Sequence, residues 1–416
     1  MVTNIAFMHH VIASWSILQL STTCSSASFS TLPPFPNITT VDAEPLHRYR
    51  QGGYHPVTLG SFLGNNRDKI LHKLGWGGSS TVWAARDRTE TYIAIKICVS
   101  ERDNNEANKG LNVMTKLASI QPGPRHIVRL LDDFDLVGPN GTHKCLVFEF
   151  LGPSIPETID VHYPDGRLPG RLAKTIAKQA LVGLDSLHQH NIGHGVTVPC
   201  VSNVSEDEFI NILGKAEIGH VQRIDGKDLE PGVPDYVVRP ASYHSRFRPS
   251  LNSVKIVDFG ELFSNTAIPQ TLHTPLPVRA PEVIFGERLD YRVDLWSMGC
   301  MLFELFVGQP PFDSFFITPK ALVGQMQEMA GDALPERWQN SWRTMDDKPV
   351  TQTSGPTLQE WLEEMYFGGE RKEDLTKEDI VQLGQIIRKL LRFEPSTRAS
   401  AREILNHPWF SCDPHS

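Results

Sequence analysis

The chain has 416 residues, 40% of them hydrophobic and 21% charged, the balance of a soluble globular protein with room for one two-lobed domain or two ordinary ones. Its formal net charge of -8 argues against nucleic acid or an anionic membrane as the main partner. The six cysteines (Cys24, Cys98, Cys145, Cys200, Cys300 and Cys412) form no C-x-x-C pair, so a zinc site has no support and a reducing compartment fits.

The first 41 residues contain no Lys, Arg, Asp or Glu. Their front half is apolar through Ile5, Phe7, Val11, Ile12, Trp15 and Leu18, yet it lacks the basic opening of a secretory signal and the Arg of a mitochondrial presequence. His9 and His10 interrupt the run, which is short for a bilayer span. Residues 25–45 are rich in Ser, Thr and Pro. The expectation is a disordered or weakly ordered arm over residues 1–50 and a cytoplasmic or nuclear protein with no membrane partner. A weak secretory or anchoring signal is the competing reading. Only under it do the N-x-S/T triplets at Asn37, Asn140 and Asn203 count as glycan acceptors.

Ordered structure should begin near Gly52-Gly53-Tyr54-His55-Pro56. Strands are expected at 70–74, 81–85 and 92–97, with a glycine turn between the first two that makes them antiparallel. Leu111, Met114 and Leu117 fall at helical spacing within 104–118. Strands near 127–131 and 144–149 complete a small β lobe. The pattern then turns helical: Leu172, Ile176, Leu184 and Leu187 mark a long amphipathic helix ending at His188. A second helix opens at Asp294 and runs to Leu305, apolar on all sides and therefore central. The last helices are expected at about 374–393 and 400–406, with Pro408-Trp409-Phe410 as a stop.

Four motifs carry the chemistry. Leu74-Gly75-Trp76-Gly77-Gly78-Ser79-Ser80-Thr81-Val82 is a glycine loop between two strands, with Ser80 in the third glycine slot of G-x-G-x-x-G. Bare backbone at Gly75 and Gly77 lets phosphates approach closely. Ala94-Ile95-Lys96 places a lysine fourteen residues past Val82 on a strand. Asp258-Phe259-Gly260 follows the β-like run Val254–Val257, and a carboxylate there can hold Mg²⁺. Ala280-Pro281-Glu282 follows 24 residues after Asp258.

In this order and spacing the set resembles the eukaryotic protein kinases over roughly residues 50–410. Tyr54-His55-Pro56-Val57 together with Ser80-Thr81-Val82-Trp83 is similar to the SR-protein-specific kinases. The tract from Ser205 to Tyr243 resembles an insert of their filamentous-fungal members. The resemblance implies an α+β fold with a small β N-lobe over 51–151 and a helical C-lobe over 152–411 carrying an insert at about 200–250. It implies a serine/threonine protein kinase that uses ATP and Mg²⁺ on a protein substrate, Arg/Ser-rich in this group, as a monomer without direct nucleic-acid contact. Nucleotide contacts are implied at Leu74 through Val82, Ala94, Lys96, Glu149 and Leu151, with Lys96 on the phosphates and Asp258 on the metal. Glu282 is implied to pair with Arg398, and Asp294 to brace the catalytic-loop backbone. These last features speak against a small-molecule phosphotransferase.

The pattern fails at three places. After His194-Gly195 the family carries an Asp that accepts the substrate hydroxyl proton and, five residues on, an Asn for a second metal. This chain continues Val196-Thr197-Val198-Pro199-Cys200, as though a short stretch had been cut out. A second alignment uses Glu206-Asp207-Glu208-Phe209-Ile210-Asn211-Ile212-Leu213, with Glu206 as base and Asn211 on the metal. It sets Glu208 where the family has a basic residue. The competing view of Glu206, Asp207 and Glu208 is an acidic helix start after a capping Ser205. Gly110 stands where the helix at 104–118 should offer a Glu to Lys96, with Glu106 one turn earlier. Gly195 stands where the family has the Arg that reads a phosphorylated activation loop. An ATP-binding scaffold without turnover is therefore the alternative function.

Overall fold

Buried Ile93, Ile95 and Ile97 alternate with half-buried Ala94 and Lys96, so one face of this strand is core and the other carries polar chemistry. The computed structural model describes residues 36–100, 104–120, 123–195, 198–201, 213–241, 253–312, 318–345, 356–368 and 373–411. The strands are β1 (Asn37–Ile38), β2 (Phe62–Leu63), β3 (Asp68–Gly77), β4 (Ser80–Arg86), β5 (Tyr92–Cys98), β6 (Leu130–Gly138), β7 (Gly141–Glu149), β8 (Ile192–Gly193), β9 (Val198–Val201), β10 (Ile218–His220), β11 (Gln222–Arg223), β12 (Tyr236–Val238), β13 (Val254–Val257) and β14 (Phe263–Ser264). The α-helices are α1 (Asn104–Ser119), α2 (Ile155–His162), α3 (Gly170–Gln189), α4 (Pro281–Ile284), α5 (Val293–Val307), α6 (Pro319–Ala330), α7 (Glu336–Thr344), α8 (Leu358–Phe367), α9 (Lys377–Leu390), α10 (Ala401–Leu405) and α11 (Pro408–Ser411). The fold class is α+β, in two compact units. One gathers Met1–Asn108, Val128–His162 and Asn203–Pro249; the other gathers Lys109–Ile127, Tyr163–Ser202 and Ser250–Ser416.

The first unit is built on a six-stranded antiparallel sheet in the order β2-β3-β4-β5-β7-β6. Ile70, Trp83, Ile93, Ile95, Cys145 and Val147 form its main core, and each large side chain there contributes about 1.5–3 kcal/mol. Strand β6 starts at Leu130 and reaches Gly138, so the expectation of a strand over 127–131 was early and short. Asp132, Asp133 and Asp135 interrupt the apolar signal that would have shown its length.

Residues 36–50 correct the expectation of a disordered or weakly ordered arm. Leu46, Tyr49 and Tyr54 pack with Val99, Val221 and Val237, and β1 pairs with β11. Residues 213–241, expected as an insert of the helical lobe, accordingly cluster with the sheet rather than with the helices. The Lys73 ammonium, fully buried, meets the buried Glu44 carboxylate, donates to the Val238 carbonyl at 3.2 Å and lies 5.2 Å from the centre of the Trp83 ring. Tyr49 donates its hydroxyl to the same carboxylate. Burial pulls the Lys73 ammonium below the usual lysine range, and Glu44 opposes that pull. A Ser/Thr/Pro-rich composition gave no sign of these partners, because both lie far away in sequence.

Asn140 settles one of the glycan triplets. It is 1% exposed, and its Nδ2 donates to the carbonyls of Tyr54 at 2.7 Å and Gly232 at 2.8 Å. In the folded chain that amide is a structural strut.

The second unit is helical. Helix α5 is buried almost throughout, from Val293 to Val307, as its all-round apolar sequence predicts. Helices α3 and α9 pack against it, α10 packs on α3, and α8 touches both α5 and α9. Helices α8, α9 and α10 each begin with a capping box, at Thr357, Thr376 and Ser400. Pro408-Trp409-Phe410 forms the short helix α11 instead of a plain stop, since Trp409 and Phe410 are buried. Among the described residues no helix is long and apolar enough to cross a membrane.

Replacing Lys73 by Met strands the Glu44 carboxylate in the core and should cost about 3–5 kcal/mol of stability in chemical denaturation. The double variant Lys73→Met/Glu44→Gln should recover part of that loss, which a purely steric effect at Lys73 would not allow.

Candidate active site

The strand register gathers the nucleotide-side candidates in the first unit. Gly75 pairs with Val82 across β3 and β4, and Val82 pairs with Lys96 across β4 and β5. One row of the sheet thus carries loop glycine, Val82 and the lysine side by side. Ala94 lies two residues along β5 on the same face as Lys96, opposite Ala84. Leu74 packs with Ala84, Phe150, Leu213 and Ala241 in an apolar patch of its own. Glu149 ends β7 opposite Ile93, where its Oε1 accepts the Arg129 amide at 2.7 Å, and Leu151 follows directly.

Gly75 and Gly77 have open space beside them. Among the described residues, a Cβ added at either would meet no atom beyond its chain neighbours within 4 Å, and neither has positive φ. Packing and backbone geometry therefore do not demand glycine there. Bare amides of this kind suit phosphate groups. Gly78, Ser79 and half-buried Trp76 complete the hairpin tip, with Gly77 paired to Ser80. Thr81 departs from the implied set. Its side chain is 1% exposed and accepts the Trp83 indole N–H at 3.0 Å, so it belongs to the sheet core and offers a nucleotide only backbone.

The metal-side candidate lies in the second unit. Two short antiparallel ladders, β8 with β14 and β9 with β13, bracket two opposed loops. One loop is residues 258–262. Asp258 opens it in the left-handed region at φ 66°, directly after β13. The other begins with His194 and Gly195. The rings of His194 and Phe259 meet edge to face across them at 4.9 Å. Burial holds the His194 imidazole below its usual range, with the carboxylates of Asp294 and Asp258 pulling the other way. In helix α1, a Cβ on Gly110 would come 3.7 Å from the Phe259 carbonyl, so the slot where a Glu was expected does face this turn and holds no side chain.

The bracing residues act as the sequence implies. The Asp294 carboxylate, 1% exposed, accepts the amides of His194 and Gly195, each at 2.8 Å, and meets His188 Nε2 at 3.1 Å. Arg398 grips Glu282 through two hydrogen bonds of 2.6 and 2.7 Å, both partners buried. Thr274 was not anticipated: its hydroxyl, buried, donates to the Gly195 carbonyl at 3.2 Å. Its place just before Pro275 in the segment leading to Glu282 was the one available signal.

The loop after His194 is short. Only residues 196 and 197 separate Gly195 from β9, whose first residue, Val198, pairs with Val257 next to Asp258. No acidic residue stands in that stretch. Glu206, with Asp207, Glu208 and Asn211, lies outside the described residues, downstream of the strand that pairs with β13. The absence of Arg at 195 has a steric cause: Gly195 has φ +82°, and a Cβ there would sit 2.8 Å from the Glu261 Cβ and 2.9 Å from its carbonyl oxygen. Gly195→Ala should therefore cost about 2 kcal/mol or more, read from the denaturation midpoint. An unchanged midpoint would contradict this loop geometry.

Comparison with known proteins adds the family. The protein kinase domain family matches residues 247–410. The chain is 30% identical to a serine/threonine-protein kinase SRPK of Physarum polycephalum, over 87% of this chain and 90% of that protein. It is 27% identical to a serine/threonine protein kinase of Aspergillus fumigatus, over 91% and 93%. With the protein kinase dsk1 of Schizosaccharomyces pombe it shares 26%, over 87% and 84%. Protein kinases as a family use ATP and a divalent metal and act on protein substrates. With the glycine loop, Lys96, the Asp258 turn and the Glu282–Arg398 pair in place, the chain belongs to the protein kinase family as a serine/threonine kinase with SRPK-like relatives.

Proposed function

We propose that this kinase binds ATP with Mg²⁺ through Lys96 and Asp258 and phosphorylates an Arg/Ser-rich protein. The open space over Gly75 and Gly77 is the observation that carries the reading. ATP supplies the γ-phosphoryl group, and the divalent metal neutralises the charge that develops as it leaves. The ammonium of Lys96 would take the α- and β-phosphates from its place in the row Gly75–Val82–Lys96. The carboxylate of Asp258 would hold the metal. Ala94, Leu74, Glu149 and Leu151 would receive the base. The net charge of -8 suits a basic substrate. We infer a monomer of the cytoplasm or nucleus.

The proton of the substrate hydroxyl is the weak point. With no Asp after Gly195, it would leave to solvent or to an improvised acceptor. Loss of a positioned base costs about 10²–10⁴-fold in rate. This is the observation that favours the second reading, an ATP-binding scaffold. Relatives that align with most of the chain and are named as kinases favour transfer.

Saturating ATP with Mg²⁺ should raise the melting temperature of the wild-type chain by about 5 °C. Lys96→Met and Asp258→Asn should each remove most of that shift. Gly77→Ala should leave the nucleotide-free melting temperature unchanged and still weaken ATP binding, because its methyl meets no atom of the described residues and enters the space proposed for the phosphates. Transfer of labelled phosphate to an Arg/Ser-rich peptide then separates the readings: slow turnover that vanishes in Lys96→Met marks the kinase, and binding with no turnover marks the scaffold.

A further inference from the structure

Two side chains reach the glycine loop from outside its own hairpin. Tyr54 donates its hydroxyl to the Gly77 carbonyl at 2.9 Å, and the Arg48 guanidinium donates to the Gly78 carbonyl. Arg48 also lies over the Tyr54 ring, 5.0 Å from its centre, so the two act as one clamp.

The segment that carries them is built to stay in place. Its turn closes through the Tyr54 amide on the Arg48 carbonyl at 3.0 Å and the Gly53 amide on the Arg50 carbonyl at 2.9 Å. Gly52 has φ +83° and donates its amide to the Asn140 carbonyl at 2.9 Å. A Cβ at Gly53 would fall 1.8 Å from the Arg48 carbonyl oxygen, so no other residue closes this turn. Asn140 returns a hydrogen bond to the Tyr54 carbonyl at 2.7 Å. Further back, Tyr49 and Glu44 tie the segment to Lys73 on β3, the strand that runs into the loop. The Gly52-Gly53-Tyr54 motif, which the kinase reading leaves unexplained, is the hinge that turns Tyr54 onto the loop.

Pinning these carbonyls has a consequence for the amides. A peptide unit is planar and trans, so fixing the carbonyl of Gly77 aims the amide of Gly78 the opposite way, and fixing that of Gly78 aims the amide of Ser79. A Gly-Gly pair without such ties samples many orientations.

We propose that Arg48 and Tyr54 are positioning residues of the nucleotide site, holding the Gly77–Ser79 backbone in the one orientation that presents its amides to phosphate. This rests on the reading that the loop cradles nucleotide phosphates. The N-terminal segment then sets nucleotide affinity without touching the nucleotide.

The test uses the full chain and two readouts, the affinity for a fluorescent ATP analogue with Mg²⁺ and the nucleotide-free melting temperature. Tyr54→Phe and Arg48→Ala should each weaken the analogue about fivefold, the scale of one lost hydrogen bond. Arg48→Lys, which keeps a donor, should stay within twofold of wild type. In turnover, KM for ATP should rise while KM for the peptide stays constant. Were Tyr54→Phe to fold poorly, Arg48→Ala carries the test, since its side chain is only half-buried. Binding that Lys96→Met abolishes but Tyr54→Phe and Arg48→Ala leave within twofold overturns the clamp and spares the site. A wild-type chain that fails to bind the analogue overturns both.

Discussion

A single buried carboxylate organises the helical unit. Asp294 sits at the start of α5 with almost no solvent access, and an ionised group there is tolerable only if its oxygens are used. Two backbone amides and a histidine ring use them. The same side chain that satisfies its own charge therefore fixes the backbone of the His194-Gly195 loop. The start of α5 is in turn held by Arg398, which donates to the Arg292 carbonyl at 2.8 Å while gripping Glu282. Glu282, Arg398, α5, Asp294 and the loop form one chain of buried polar contacts. Each link is satisfied by the next, which is the condition for such a network to rigidify rather than destabilise. Thr274 adds a further contact from the segment before Glu282, so the loop is held from both sides of its backbone.

The sheet unit solves a different problem. Its glycine loop must keep backbone exposed where a ligand is to approach, and exposed glycine backbone is expensive in conformational entropy. The fold leaves Gly75 and Gly77 uncovered on one side while Trp83, Ile93 and Ile95 fill the core on the other. Lys96 and Lys73 illustrate the contrast. Lys73 is sealed in with Glu44 as a structural ion pair, whereas Lys96 lies on the face that carries Val82 and Ala94, beside the loop.

Motifs whose partners are near in sequence, or whose spacing is rigid, were legible. The glycine hairpin, Lys96 on β5, Asp258 after β13 and the apolar α5 all stand in the elements that periodicity assigned them. The Asp294 brace and the Glu282–Arg398 pair were legible only through resemblance, since their partners are about a hundred residues away. Three features were hidden. The order of residues 36–50 depends on contacts with Val221, Val237 and Lys73, which composition does not register. The burial of Thr81 follows from strand phase at a loop exit, where one residue of shift changes the face. The length of β6 was masked by three aspartates on an exposed stretch. At Gly195 the sequence showed a departure from the family, and the structure supplied its reason in the left-handed backbone and the neighbouring Glu261.

The sheet unit is stitched from distant pieces, and this bears on how it is made. Leu46 and Tyr49 share a cluster with Val221 and Val237, and Lys73 bonds to Val238. During synthesis all six strands of the large sheet leave the ribosome long before these late partners exist. Until about residue 241 has emerged, the nascent chain carries an uncovered sheet face and a lysine lacking one of its acceptors. Such a waiting intermediate is the kind that chaperones hold and that aggregates when they do not. Slowing translation ahead of that point would lengthen the exposed interval, so the yield of folded protein is expected to depend on codon choice in the stretch that precedes residue 213.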